Sequence, residues 1–229
     1  MRIGGFQKFS LIDFPGKISA IVFTQGCNFR CPYCHNPELV DPESFTEIIP
    51  EEQIFQFLRN RIGKLDAVSI TGGEPTLHND LPDFIRKIKE MGFLVKLDTN
   101  GTKPEMLSRI IEEGFVDYLA MDIKAPLTKY ARITRSKINE YHILRSAGMI
   151  ENSGIDYEFR STLVKHLLTS DDVLKMGTML GPAKRYFLQK FVPSKTLDRG
   201  LEKLSSFSQD TLNLLISKMQ GNFAEFVVR

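Results

Sequence analysis

All three cysteines of this chain lie within eight residues of one another, in the run CNFRCPYC at 27–34. An odd and crowded set of thiols cannot form a disulfide framework, and such sets more often bind a metal or act in catalysis. Three thiolates on one loop suit a 4Fe–4S cluster, which is usually held by four cysteines. Because the sequence has no fourth cysteine, one iron would keep an open coordination position, as catalytic metal sites do. We expect that iron to bind the amino and carboxylate groups of a small molecule.

A zinc knuckle is the alternative for this site, with His35 as the fourth ligand. Zinc sites usually take two ligands from one structural element and two from another. Here His35 directly follows Cys34, which makes tetrahedral closure around one ion awkward. The spacing therefore favours a cluster over zinc. A noncatalytic iron–sulfur module stays open as a further alternative.

The composition fits one globular domain over residues 1–229. Apolar residues make up 42% of the chain and charged residues 25%, which is enough to bury a sizeable core. The formal charge of +2 is too small to indicate a nucleic-acid partner. No stretch approaches the roughly 20 apolar residues of a membrane span, and the N-terminal residues lack the apolar core of a signal peptide. We therefore expect a cytoplasmic protein.

Apolar, β-branched runs alternate along the chain with segments of helical spacing. Strands are predicted at 18–24, 67–71, 93–97, 116–121, 156–164 and 184–192. Helices are predicted at 51–62, 81–91, 104–113, 139–150 and 170–180, and the C-terminal segment 201–229 is predicted to be mostly helical. Such alternation predicts a parallel sheet with right-handed crossovers. Because about six βα units fall short of the eight in a closed barrel, we predict an α/β fold with a partial, open (β/α)6 barrel. An open α/β layer is the alternative.

Glycine-rich and polar clusters follow four of the predicted strands. They are Gly26-Cys27, Gly72–Pro75, Asp98–Gly101 and Asp122–Lys124. In parallel α/β folds the loops at the carboxyl ends of the strands converge on one site. The sequence therefore predicts one composite pocket that contains the cysteines.

The cysteine spacing, with an aromatic residue before the last cysteine, resembles the signature of the radical SAM superfamily, whose members cleave S-adenosylmethionine (SAM). The segments KFSLIDFPGK and VFTQGCNFRCPYCHNPELV, together with TGGEP, resemble the activating proteins of anaerobic ribonucleotide reductase. The resemblance extends over about residues 1–192. It implies a 4Fe–4S cluster on Cys27, Cys31 and Cys34, within a cluster loop at 24–37, and SAM bound to the open iron.

The resemblance also implies the reaction and its partners. An electron from flavodoxin or ferredoxin would reduce the cluster, and SAM would break into methionine and a 5′-deoxyadenosyl radical. That radical would remove hydrogen from a glycine Cα of the partner, which the resemblance identifies as anaerobic ribonucleotide reductase. The alternatives are an activase of the formate-lyase type and a small-molecule radical SAM enzyme such as a deazapurine synthase.

The same resemblance assigns roles to the strand-end residues. Gly72, Gly73 and Glu74 would meet the amino group of SAM, and Lys124 would neutralise its carboxylate. The backbone at Tyr33 and His35 would approach the adenosine. The remaining residues expected to bind SAM are Asn100, Arg160 and Gln189, together with Asp98 and Asp122. A monovalent cation is expected at Asp98, Thr99 and Asp122.

Overall fold

The computed structural model describes residues 1–204 and 206–229. Its strands form one eight-stranded sheet whose order follows the chain. They are β1 (Ile3–Ser10), β2 (Ser19–Thr24), β3 (Ala67–Gly72), β4 (Leu94–Thr99), β5 (Tyr118–Asp122), β6 (Asp156–Leu163), β7 (Arg185–Lys190) and β8 (Glu225–Val228). β1 is antiparallel to β2, and every later pair of neighbours is parallel.

At least one helix separates each strand from the next parallel one. The helices are α1 (Pro37–Val40), α2 (Glu51–Arg59), α3 (Leu81–Glu90), α4 (Pro104–Glu113), α5 (Leu127–Thr134), α6 (Glu140–Asn152), α7 (Ser170–Leu180) and α8 (Gln209–Met219). Because the crossovers are right-handed and the strand order is sequential, the helices cover one face of the sheet. In the described residues no pairing joins β1 to β8, so the barrel stays open. The predicted partial barrel is confirmed.

The two faces of the sheet differ in polarity. The strand register aligns Ile70, Leu97 and Leu119 in a row that is fully buried in the core with the helices. Since successive residues of a strand point to opposite faces, the adjacent row lies on the concave face. That row carries Ser69 and Lys96, which are cross-strand partners. The barrel interior below the strand ends is therefore polar.

Helix α7 is fixed at its start by a capping box and an ion pair. The Thr169 hydroxyl accepts a hydrogen bond from the Asp172 N–H at 3.2 Å, and the Asp172 carboxylate accepts one from the Thr169 N–H at 2.8 Å. Lys129 of α5 donates to the same carboxylate at 2.7 Å. Two consecutive crossovers are thus joined at one buried acid. None of the described helices is long and apolar enough to cross a membrane.

The sequence pattern misses β1, the four-residue α1, α5 and β8. β1 contains two glycines and an exposed polar half, so it lacks the apolar run of the inner strands. The helical prediction for 201–229 holds at α8 and is wrong at Glu225–Val228, which pair in parallel with β7. The ring centroid of Phe226 lies 5.9 Å from that of Tyr186. This packing and the backbone pairing favour the extended conformation.

Candidate active site

A cavity of about 230 Å³ lies where the loops after β2, β3, β4 and β5 converge. Most of the residues predicted to form the site line it: Cys27, Cys31, Tyr33, Cys34, His35, Gly72, Gly73, Glu74, Asp98, Thr99, Asn100, Asp122 and Lys124. Phe29, Asn36, Val40, Thr71 and Thr162 also line it and were not expected from the sequence. Arg160 and Gln189 lie outside this lining. The composite pocket thus forms at the strand ends, as the polar clusters predict.

The cysteine loop is held by backbone hydrogen bonds with two distant parts of the chain. The Arg30 N–H donates to the carbonyl of Thr134, at the end of α5, at 2.8 Å. The N–H groups of Leu197 and Asp198 donate to the carbonyls of Cys34 and Pro32, both at 2.9 Å. The segment just after β7 is therefore part of the framework of the site.

Arg30 also binds the loop from within. Its guanidinium donates to the carbonyls of Cys27 and Phe29, at 2.7 and 2.8 Å. Guanidinium hydrogen bonds of this kind fix local backbone geometry because the donors are held in a rigid plane. The thiols therefore project from a loop whose shape is fixed by its own hydrogen bonds.

Burial raises the pKa of all three thiols. The pKa of Cys27 rises to about 12 and that of Cys31 to about 11, and that of Cys34 rises as well. Such thiols stay protonated at neutral pH until a metal replaces the proton. The loop is thus suited to a cationic group that holds the sulfurs as thiolates.

The loop after β3 lies directly against the loop after β2. A Cβ atom on Gly73 would fall 2.0 Å from the carbonyl oxygen of Gly26, and Gly72 has a φ of 111°. The Gly73 N–H donates to the carbonyl of Thr24, and the Glu74 N–H donates to the carbonyl of Gly26, both at 2.8 Å. Only glycine permits this approach, so the pair of glycines sets the distance between the two loops.

The Glu74 side chain joins the loops after β3 and β4. Its carboxylate accepts hydrogen bonds from the N–H of Thr76 at 3.1 Å, the hydroxyl of Thr99 at 2.7 Å and the N–H of Asn100 at 2.6 Å. Burial raises its pKa, and these donors act in the opposite direction. The carboxylate is therefore engaged within the protein. Any contact of this motif with SAM is then expected from its backbone.

A second polar connection between loops involves Asn28, for which the sequence pattern predicts no role. The Asn28 amide donates to the Thr102 hydroxyl at 2.8 Å and accepts from the Asn100 amide at 2.9 Å. These contacts tie the cysteine loop to the loop after β4. Asn28 stands between two of the cysteines in the sequence, but its partner Asn100 lies 72 residues away.

A row of alternating charges reaches the cavity at Asp98, Asp122 and Lys124. Arg160 donates to Asp98 at 3.0 Å and to Asp122 at 2.9 Å, and Lys124 donates to Asp122 at 3.1 Å. Lys96 forms an ion pair with the other oxygen of Asp98. Burial raises the pKa of Asp122, but Arg160 and Lys124 lower it well below the usual range. Burial lowers the pKa of Lys124, yet Asp122 raises it further, so Lys124 remains charged.

Arg160 and Gln189 were expected to bind SAM, but neither lines the cavity. The Arg160 guanidinium is engaged by Asp98 and Asp122 and lies 3.7 Å from Glu158. Arg160 therefore positions the two aspartates that do line the cavity. Gln189 pairs across the strands with Thr162, and Thr162 is the residue of that pair that reaches the cavity.

The comparison with known families agrees with this geometry. The family model described as the Radical SAM superfamily matches residues 21–176. The chain belongs to the radical SAM superfamily. Membership implies a 4Fe–4S cluster and SAM as cofactors, and it replaces the zinc-knuckle alternative. The superfamily match spans the strands from β2 to β6 and helix α7 up to residue 176.

Two curated relatives narrow the class of this radical SAM protein. A putative glycyl-radical enzyme activating enzyme of Methanocaldococcus jannaschii is 33% identical, with 99% of this chain and 94% of the relative aligned. The pyruvate formate-lyase-activating enzyme of Clostridium pasteurianum is 29% identical, with 91% of this chain and 87% of the relative aligned. The chain is therefore a radical SAM enzyme of the glycyl-radical-enzyme activating family, which confirms the predicted enzyme class.

A solved structure shows the same fold. Streptococcus suis SuiB bound to S-adenosylmethionine superposes with a TM-score of 0.65 at 14% identity. The alignment covers 91% of this chain and 51% of the SuiB chain, so this radical SAM protein spans about half the length of SuiB.

Proposed function

We propose that this enzyme generates a glycyl radical on an anaerobic ribonucleotide reductase. When bound, the reduced 4Fe–4S cluster supplies the electron that cleaves SAM into methionine and a 5′-deoxyadenosyl radical. The observation that carries the proposal is the cavity. Three cysteines, with no fourth in the sequence, line it together with Lys124. A closed structural site would leave no coordination position for a substrate.

The cysteine loop would hold the cluster. Cys27, Cys31 and Cys34 are the soft sulfur ligands that iron–sulfur clusters require. Their loop is fixed by Arg30 and by backbone hydrogen bonds from other elements. One iron would remain without a protein thiolate and would keep a coordination position for SAM.

The charged row that ends at Lys124 would orient SAM. Lys124 donates one of its three N–H groups to Asp122, so two N–H groups remain for the carboxylate of SAM. The N–H groups of Gly73 and Glu74 are already donated to the neighbouring loop. An ammonium group only donates hydrogen bonds, so the carbonyl oxygens of the glycine loop would be the groups that accept from the SAM ammonium. Contacts of the adenosine with the backbone at Tyr33 and His35 stay a prediction.

The choice of partner rests on the segment before the cluster loop. The sequence SLIDFPGK at residues 10–17 resembles the ribonucleotide reductase activating proteins. A pyruvate formate-lyase-type partner is the second candidate, because the Clostridium pasteurianum relative aligns over 91% of this chain. We propose flavodoxin or ferredoxin as the electron donor and the cytoplasm as the site of the reaction.

Anaerobic reconstitution with iron and sulfide tests the chemistry first. We expect near four irons per chain and formation of 5′-deoxyadenosine with dithionite and SAM. The Cys31→Ala variant is the matched control and should form none. Incubation with the anaerobic ribonucleotide reductase of the same organism, and separately with its pyruvate formate-lyase, then identifies the partner by electron paramagnetic resonance of a glycyl radical. A radical on the lyase alone would refute the proposed partner, and absence of 5′-deoxyadenosine would refute the chemistry.

A further inference from the structure

Lys96 is a charged side chain buried inside the barrel. Only 2% of its surface is exposed, and it lies on the concave face of β4 between Ser69 of β3 and Tyr118 of β5. Burying an ammonium group is costly unless it is paired. Its partner is Asp98, two residues along the same strand and on the same face. Lys96 does not line the cavity, so it acts on the site through Asp98.

Every carboxylate oxygen of the two aspartates already has a cationic partner. Asp98 binds Lys96 through one oxygen and Arg160 through the other. Asp122 binds Arg160 through one oxygen and Lys124 through the other. The row therefore runs without interruption from a buried lysine to a lysine at the cavity.

The residues present do not fit the monovalent cation expected at Asp98, Thr99 and Asp122. An inorganic cation would add a fourth positive charge beside three organic ones and would compete with an N–H donor at each aspartate. Thr99 lines the same cavity, but its hydroxyl is already engaged within the protein. It donates to Glu74 at 2.7 Å and accepts from the Gly101 N–H at 3.1 Å.

We propose that the ammonium group of Lys96 is a built-in counter-ion that takes the place of an inorganic cation, so that this enzyme binds SAM without Na⁺ or K⁺. The inference rests on SAM binding in this cavity. Lys96 fixes Asp98, Asp98 and Asp122 share Arg160, and Asp122 fixes Lys124. Lys96 is thus a positioning residue for the group that would meet the SAM carboxylate.

The Lys96→Met variant separates this role from a purely structural one. Methionine keeps an unbranched apolar chain but leaves one Asp98 oxygen without a cation. A small monovalent cation can then enter the space and restore the row. We therefore expect SAM affinity of the variant to fall roughly tenfold in a buffer whose only cation is tetramethylammonium, and to recover on addition of KCl. A lysine that only fills space would produce a loss that KCl does not reverse.

The experiment measures the SAM dissociation constant of the reconstituted enzyme at constant ionic strength, in tetramethylammonium and in potassium buffers. The wild type should bind equally in both. Lys89→Met is the matched control, because it removes a lysine that pairs with Asp117 at 2.7 Å away from the cavity. It should also bind equally in both buffers.

Three results would overturn the inference. They are a potassium requirement in the wild type, unaltered SAM affinity of Lys96→Met in tetramethylammonium, and a loss in that variant that potassium does not reverse. The wild-type comparison decides the matter even where the variant fails to fold. A wild type that holds its cluster and binds no SAM in any buffer would instead refute SAM binding itself, and the inference with it.

Discussion

The close approach of Gly73 to Gly26 gives a prediction whose size follows from the structure. In a Gly73→Ala variant the new Cβ would lie 2.0 Å from the Gly26 carbonyl oxygen and 2.6 Å from its carbonyl carbon. Both obstacles are backbone atoms, so no side-chain rotation relieves the overlap. Real Cβ contacts are no shorter than 3.0 Å, and the two loops must therefore separate by at least about 1 Å.

That separation breaks the hydrogen bonds between the loops. The bonds from the Gly73 N–H to Thr24 and from the Glu74 N–H to Gly26 are 2.8 Å long and would stretch to about 3.8 Å. Each lost bond costs about 1 kcal/mol, more where the donor is left buried, and the displaced packing costs about 1–3 kcal/mol. The expected loss in free energy of unfolding is about 3–5 kcal/mol. Since Gly26 precedes Cys27, we also expect weaker cluster retention.

Denaturant unfolding under anaerobic conditions, with iron content measured after reconstitution, tests this expectation. Gly148→Ala in α6 is the matched control, because a Cβ there meets no atom within 4 Å. Alanine is favoured over glycine inside a helix by about 1 kcal/mol, so the control should gain stability. A Gly73→Ala protein as stable as the wild type, with full iron content, would refute the account of the two loops.

Three other substitutions probe separate parts of the molecule. Lys124→Met should weaken SAM binding by roughly tenfold or more while cluster absorbance is retained, and loss of iron would mark the lysine as structural instead. Asp172→Asn should cost about 2 kcal/mol at neutral pH, because it weakens the capping box with Thr169 and the ion pair with Lys129. Burial raises the pKa of Asp172, but these donors lower it overall, so wild-type stability from this group is present above pH 4 or so and is lost as pH falls through the folded-state pKa. The unfolding curves of the two proteins should therefore differ at neutral pH and converge at acidic pH. Tyr33→Phe should change the free energy of unfolding by no more than about 1 kcal/mol, because the buried Tyr33 hydroxyl has no hydrogen-bond partner among the described residues apart from a contact with the Cys31 thiol; a larger loss would contradict this.

Much of the sheet and most of the cavity lining follow from local signals. The predicted strand at 67–71 ends at two glycines, and in the structure β3 ends at Gly72. The polar residues after the strands then meet because parallel strands share one carboxyl edge. The site could therefore be predicted from polar residues that directly follow the strands, without knowing which strands pair.

Other contacts leave no comparable trace in the sequence. The hydrogen bonds from Leu197 and Asp198 use backbone atoms, so their side chains do not reveal them. Lys96 did leave a trace: a lysine within the apolar run FLVKL, in phase with Asp98, indicates a charge on the polar face. The sequence does not show which residues pair with Lys96 and Asp98. Arg160, which also pairs with Asp98, comes 64 residues after Lys96 and lies on another strand.

The anchoring of the cysteine loop by Leu197 has a consequence for how the protein is made. Leu197 follows Cys34 by 163 residues, and translation at about 5–20 residues per second takes on the order of ten to thirty seconds to cover that distance. Over that interval the carbonyls of Cys34 and Pro32 lack the hydrogen bonds that close the loop, and the thiols lack part of the burial that raises their pKa. The nascent chain is therefore more open to oxidation at these cysteines than the finished protein, and stable cluster loading belongs after synthesis of the last parallel strands.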